Sequence, residues 1–341
     1  MKKKNTMLRI VSVFCTLFFV FFIPASKQTD VWAETGVQAK GECVMEVNSR
    51  RVLFESHGDI RLPMASTTKI LTCITVLENC SDLNQKVVIP TEAVGVEGSS
   101  VYLKAGDIYT VEELLYGLML RSGNDCATAL ALHCCKNIPA FAAKMNETAQ
   151  KAGALCGNFV NPHGLPSRNH YTTARDLGLI TCYAMQNETF KTIVSTKYYP
   201  PRQWHNKNKT LSLIEGGVGV KTGYTKEAGR CLVSAAERKG MTLVCVVLNC
   251  PTTYERSATL LDDAFAAYTN TKVLDKDEVL SFENTKGIAR KDYYYPLLDA
   301  EKEWLEIRTT PPLFRKNKEI VAQFEIYLSK RLLFSGNLYK L

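Results

Sequence analysis

Strand-like sequence stands on both sides of a long helical block, and that arrangement limits the fold more than any other feature of the chain. From about residue 38 the string GECVMEVNSRRVLFES reads as two short strands around a turn at Asn48-Ser49-Arg50. Strand character returns in GVGVKTGYT and in RCLVSAAERKGMTLVCVVLNC, the latter divided by a turn at Lys239-Gly240. Helical periodicity fills the interval: the apolar run of PMASTTKILTCITVLENC, then TVEELLYGLMLRS and DCATALALHCC joined through RSGND, then AFAAKMNETAQKAGA. A further helix starts at Thr172-Thr173-Ala174-Arg175-Asp176, and YERSATLLDDAFAAYT closes the region. Strands this far apart bury their apolar faces only by meeting in one sheet, which predicts an α/β (α+β) domain.

Beyond about Lys272 the pattern changes. Ile320, Ala322, Phe324, Ile326 and Leu328 alternate with Val321, Gln323, Glu325, Tyr327 and Ser329, a period of two with one half-buried face. Turn sequences at Thr309-Thr310-Pro311-Pro312 and Ser329-Lys330-Arg331 make residues 272–341 a small all-β domain. With 341 residues, 46% of them hydrophobic, the chain can bury cores for both domains.

The first 33 residues are of another kind. Lys2, Lys3, Lys4 and Arg9 precede an apolar run from Ile10 to Pro24, and Val31-Trp32-Ala33 follows. This order reads as a secretory signal peptide cleaved after Ala33, leaving residues 34–271 as the larger domain of an exported, extracytoplasmic protein, secreted or envelope-associated. The apolar run is shorter than the ~20 residues of a spanning helix. No C-terminal membrane anchor is expected, because the sequence near Leu341 is strand-like. The leader's five bases and one acid account for half of the net charge of +8, so the mature chain is only mildly basic. That balance, dispersed along the sequence, excludes a nucleic-acid binder.

Twelve cysteines in an exported chain suggest disulfides, yet most stand in apolar periodic stretches, as Cys73, Cys134 and Cys245 do. They read as small buried hydrophobes and mostly free thiols. There is no CxxC pair and the five histidines are scattered, so neither a metal nor another cofactor is expected.

Residues 63–80 open an apolar helix with three hydroxyls and place a lysine inside its first turn. The plain reading is an N-cap by Ser66, Thr67 or Thr68, with Lys69 reaching to solvent. Two later motifs weigh against it: Ser122-Gly123-Asn124 in a tight connection between helices, and Lys221-Thr222-Gly223 in a glycine-rich strand. In this order S-x-x-K, S-x-N and K-T-G match the serine-nucleophile set of penicillin-binding proteins and class A β-lactamases, with Gly123 where that set has Asp. The strings PMASTTKI, RSGNDCATALA, NPHGLP, YTTARDL and GVKTGYTKEAGRCLV resemble those of the D-alanyl-D-alanine carboxypeptidases among the low-molecular-mass penicillin-binding proteins. The resemblance runs from about Gly41 to Tyr268 and, more weakly, through the C-terminal β domain. It implies the penicillin-binding protein/β-lactamase-like transpeptidase fold, an antiparallel sheet flanked by helices.

A serine hydroxyl becomes a nucleophile when a base takes its proton. Lys69, three residues on, shares the helical face of Ser66, and burial together with the charge of Lys221 is expected to depress its pKa. The resemblance implies the remaining roles. Ser66, Lys69, Ser122 and Lys221 are the expected catalytic residues, with Ser122 relaying a proton to the leaving amine. Asn124 holds the substrate amide, and the backbone N–H groups of Ser66 and Tyr224 receive the oxyanion. Gly223 permits close approach of substrate to the strand. Lys221, Thr222 and Arg256 recognise the terminal carboxylate, although Arg256 also reads as a helix-start arginine on a solvated face. His163 and His170 read as loop-ordering residues, and Asp125 as a helix N-cap.

The activity so implied is removal of the terminal D-alanine from peptidoglycan stem peptides through an acyl-enzyme, with β-lactam antibiotics as covalent inhibitors. A β-lactamase is the nearest alternative, but no Glu-x-x-x-Asn stands between Ser122 and Lys221 to position a deacylating water. A catalytically idle cell-wall-binding or β-lactam-sensing module is a second alternative, opposed by the complete set of nucleophile and base positions.

Overall fold

Val244, Val246 and Leu248 point to one side of the strand Met241–Leu248, and Leu243, Cys245 and Val247 to the other, all fully buried. Such a continuous apolar run belongs at the centre of a sheet covered on both faces. The computed structural model describes residues 39–312 and 319–341, and places this strand in the middle of a five-stranded antiparallel sheet. The expected leader, residues 1–33, lies outside the described residues.

The order across the sheet is Val52–Ser56, Gly41–Glu46, Met241–Leu248, Gly229–Arg238, Gly217–Thr225. Its first two strands come from the start of the domain and its last three from the end, as the separation of strand-like strings requires. On one face lie the helices Lys69–Asn79, Val111–Leu120, Asn124–Cys134, Ile138–Lys151 and Ala174–Ala184, which share the larger core with Cys43, Met45 and Val246. Helix Thr253–Ala267 covers the other face through Leu260, Leu261, Ala264 and Phe265. Helix Val111–Leu120 starts with a capping box between Thr110 and Glu113, and helix Ala174–Ala184 is capped by Thr173. A short helix, Glu188–Ser195, was not legible as a separate element.

The strand bearing K-T-G, Gly217–Thr225, is at the sheet edge, with its hydrogen-bonded partner strand Gly229–Arg238 on one side. An edge strand presents unpaired backbone groups to which an extended peptide can add.

The C-terminal sheet is antiparallel in the order Val279–Phe282, Thr285–Ile288, Arg331–Lys340, Ile320–Leu328, Leu305–Thr310. Ala322, Phe324 and Ile326 are buried in its core, as the alternation predicts. A boundary at residue 272 falls inside strand Thr269–Leu274, which pairs with Tyr293–Leu297. Arg51, from the turn between the first two strands, donates to Glu301 at 2.5 Å and to the Pro296 carbonyl at 2.7 Å. The described residues accordingly belong to one compact unit. Among them no helix is long and apolar enough to cross a membrane.

Candidate active site

Ser66 lies in a 3₁₀ turn, Ala65–Thr68, that runs into the helix Lys69–Asn79. Three residues per turn eclipse positions i and i+3, so the turn itself aligns Ser66 with Lys69. The other two hydroxyls secure that geometry. Thr67 Oγ1 donates to the Met64 carbonyl at 2.6 Å, and Thr68 Oγ1 to the Ala65 carbonyl at 2.8 Å. The N-cap reading of these hydroxyls fails, for neither the turn nor the helix has a side-chain cap.

Lys69 is fully buried and does not reach solvent. Its Nζ lies 2.6 Å from Asn124 Oδ1, 2.7 Å from the His163 carbonyl and 2.9 Å from Ser66 Oγ. Burial, and after it the charge of Lys221, holds its pKa well below the usual lysine range. Nζ donates to all three oxygens in this arrangement, and on losing a proton it would keep two hydrogens for the two carbonyl oxygens. The position it vacates faces the Ser66 hydroxyl, an arrangement that suits a general base.

Ser122 occupies the connection between helices Val111–Leu120 and Asn124–Cys134 with φ +64°, a left-handed conformation uncommon outside glycine. Lys221 Nζ donates to Ser122 Oγ at 3.0 Å and to the Thr222 carbonyl at 2.9 Å. Burial lowers the Lys221 pKa to about 7, helped by the charge of Lys207. One three-residue connection thus joins both lysines, Lys69 through Asn124 and Lys221 through Ser122. The Asn124 amide is held the other way round by its Nδ2, which donates to the Glu97 carbonyl.

Gly223 packs against the serine turn. A Cβ on it would lie 3.1 Å from Ser66 N and 3.0 Å from the Met64 carbonyl, so glycine is what lets the strand come this close. Gly164 is more constrained still. It has φ +90°, and a Cβ there would sit 1.9 Å from the Ala65 carbonyl. Sequence reasoning passed over Gly164 and the His163 carbonyl, and the string NPHGLP is the signal that could have found them.

His163 and His170 order the loop. His163 Nδ1 accepts from Leu165 N at 3.2 Å, while His170 Nδ1 accepts from Val160 N at 3.1 Å and its Nε2 lies 2.8 Å from Thr68 Oγ1. Burial first, then the charge of Lys69, lowers the two rings to about 3 and about 4, too weak for general-base work near neutrality. Asp125 is not the helix cap, a position held by Gly123. Its carboxylate accepts from Ser100 Oγ at 2.6 Å, Val101 N at 3.0 Å and Leu103 N at 3.2 Å, fixing the loop beside the S-x-N connection.

The expectation for Arg256 needs correction. Its guanidinium makes a two-point pair with Glu42 in the layer between the sheet and helix Thr253–Ala267. It is neither a solvated helix-start arginine nor a cation left open for a substrate carboxylate. Lys221 and Thr222 stay at the edge strand, and Tyr224 is exposed beside them. Among the described residues no group of three His, Cys, Asp or Glu side chains is placed to hold a metal ion.

Residues 27–252 match the profile of the D-alanyl-D-alanine carboxypeptidase family. D-alanyl-D-alanine carboxypeptidase DacB2 of Mycobacterium tuberculosis is 34% identical over 260 residues, covering 69% of this chain and 89% of the relative. D-alanyl-D-alanine carboxypeptidase DacF of Bacillus subtilis is 28% identical over 295 residues, covering 82% and 73%. The crystal structure of penicillin binding protein 5 from Haemophilus influenzae superposes with a TM-score of 0.73 at 27% identity, covering 90% of this chain and 97% of that one. With S-x-x-K, S-x-N and K-T-G drawn together around one buried lysine, the chain belongs to the D-alanyl-D-alanine carboxypeptidase family and is a serine-type peptidase.

Proposed function

We propose that this enzyme removes the terminal D-alanine from peptidoglycan stem peptides through an acyl-enzyme on Ser66, and that β-lactams acylate the same oxygen. The contact that carries the reading is Lys69 Nζ to Ser66 Oγ, with Asn124 Oδ1 and the His163 carbonyl accepting from the same nitrogen. Lys69 takes the Ser66 proton as Oγ attacks the penultimate carbonyl. The oxyanion lies between the N–H groups of Ser66 and Tyr224, each such donor contributing roughly 3–4 kcal/mol to the transition state. Ser122, which accepts a hydrogen bond from Lys221 Nζ, relays to the departing amine the proton that Lys69 took from Ser66, so Lys221 stays cationic and Lys69 returns to its neutral form for deacylation. Lys221 in its cationic form and the Thr222 hydroxyl receive the terminal carboxylate. Asn124 orients Lys69 and the substrate amide together.

A β-lactamase reading is disfavoured by the loop behind Ser66. Residues 161–171, NPHGLPSRNHY, contain no carboxylate to activate a hydrolytic water. A penicillin opened on Ser66 keeps its leaving nitrogen tethered in place, and the adduct should persist. Export rests on the sequence of residues 1–33, and mass spectrometry of the mature N-terminus tests it.

The decisive experiment follows release of D-alanine from diacetyl-lysyl-D-alanyl-D-alanine and the mass of the enzyme after penicillin. The expected result is turnover of the peptide and a stable adduct on the Ser66 peptide, both absent in Ser66→Ala. Rapid penicillin turnover with no adduct would favour the β-lactamase, and neither activity would favour the idle module.

A further inference from the structure

A cleft of about 600 Å³ is lined by Arg61, Pro63, Pro166, Arg168, His170, Tyr171 and Glu227 among others. Its walls come from the segments that build the site. Pro63 leads into the Ser66 turn, and the Arg61–Pro63 segment is fastened to the 161–172 loop by paired backbone hydrogen bonds between Leu62 and Thr172, 2.8 and 3.0 Å. His170 reaches from that loop to Thr68 Oγ1. Glu227 lies just beyond Thr225, the end of the K-T-G strand.

Strand direction says which part of a substrate arrives there, granted the carboxypeptidase reading. The terminal carboxylate belongs at Lys221 and Thr222, and the scissile carbonyl at Ser66 and Tyr224. An extended peptide laid along this edge therefore carries its acyl-side residues past Thr225 toward Glu227 and into the cleft. Arg61 and Arg168 are both exposed there. The Arg61 guanidinium stacks 5.1 Å over the Tyr171 ring, and among the described residues neither arginine makes an ion pair. Against them stands one acid, Glu227, so the cleft has a net charge of +1.

The geometry points to this cleft as a subsite for a carboxylate on the acyl side of the scissile bond, received by Arg61 and Arg168. The guanidinium fork suits a carboxylate in two-point contact, and a stacked aromatic fixes its plane. The substrate class is then a D-alanyl-D-alanine peptide whose preceding residues bear a free α-carboxylate, as a γ-linked glutamyl residue does.

The test compares three peptides: acetyl-alanyl-γ-D-glutamyl-(acetyl)lysyl-D-alanyl-D-alanine with a free α-carboxylate, the same peptide as its α-carboxamide, and diacetyl-lysyl-D-alanyl-D-alanine. In the wild-type enzyme kcat/KM for the carboxylate peptide should exceed that of its carboxamide by roughly tenfold, the scale of one charge-assisted contact. In Arg61→Gln/Arg168→Gln that ratio should fall to about one, the loss appearing mainly in KM. Turnover of the diacetyl-lysyl peptide should stay unchanged, which also reports that the variant is folded. Equal rates for the two longer peptides in the wild type, or a preference that survives in the double variant, would overturn the subsite. Failure of all three peptides to release D-alanine would instead overturn the carboxypeptidase reading on which it rests.

Discussion

Arg256 and Glu42, 214 residues apart, meet in a two-point ion pair with Nε–Oε1 2.7 Å and Nη2–Oε2 2.8 Å, their side chains 9% and 2% exposed. The pair ties the helix after the sheet to the first strand of the sheet. Arg256→Leu leaves a buried carboxylate without its partner and should cost about 3–5 kcal/mol of stability. Glu42→Leu/Arg256→Leu should recover most of that, because neither charge remains. Denaturant midpoints of the three proteins check this. A full-stability Arg256→Leu with a raised KM would return Arg256 to carboxylate recognition.

Lys69→Ala removes the proposed base and should slow acylation by about 10²–10⁴-fold. The sheet and helices do not depend on the amine, so the near-UV circular dichroism spectrum should be retained. Stopped-flow acylation by a fluorescent penicillin measures the loss. If acylation persists near the wild-type rate, Ser66 has another activator.

The pH profile of kcat/KM should fall on its alkaline side from about pH 7, where Lys221 loses the proton that receives the substrate carboxylate. The charge of Lys207 is one cause of the lowered value, after burial. Removing that charge lets the Lys221 pKa rise, so the cationic form survives to higher pH. Lys207→Met should therefore move the alkaline limb upward. A limb that stays in place, or moves down, contradicts this electrostatic linkage.

Gly164→Ala forces a Cβ to 1.9 Å from the Ala65 carbonyl and should displace the Ser66 turn, reducing kcat at least tenfold and destabilising the protein by roughly 3 kcal/mol or more. Gly95→Ala supplies the control. That residue also has positive φ, +72°, but meets nothing within 4 Å, so only the backbone preference of about 1–2 kcal/mol is lost. Comparable kcat losses in the two variants would mean the close approach is not what holds the serine.

All eleven described cysteines are free thiols, and Cys156 is the exposed one. Ellman's reagent on native protein should react fast with one thiol, and the melting temperature should not shift with dithiothreitol. Burial raises Cys231 to about 11 and Cys245 to about 12, so these react only on unfolding.

Much of the architecture was legible because it rests on periodicity. The apolar run Met241–Leu248 announced a strand, and the alternation through Ala322, Phe324 and Ile326 announced a half-buried one. Element ends were less legible where propensity is weak, as at Thr269–Leu274, whose strand character comes from pairing with Tyr293–Leu297.

By itself the sequence determined the chemical inventory: Ser66 with Lys69 at the spacing of one tight turn, Ser122 with Asn124, and Lys221-Thr222-Gly223. Local spacing suffices there, since positions three apart on a helical turn face the same way whatever surrounds them. The tertiary structure decided what the inventory can do. Burial holds the Lys69 pKa low, and Asn124 Oδ1 and the His163 carbonyl fix its amine from chain segments 55 and 94 residues away, as the proposed base requires. The same holds for Arg256, whose helix-start position gave no sign of Glu42 across the sheet. Electrostatics depends on distance and solvent exclusion, and neither is written in the order of residues until the chain has packed.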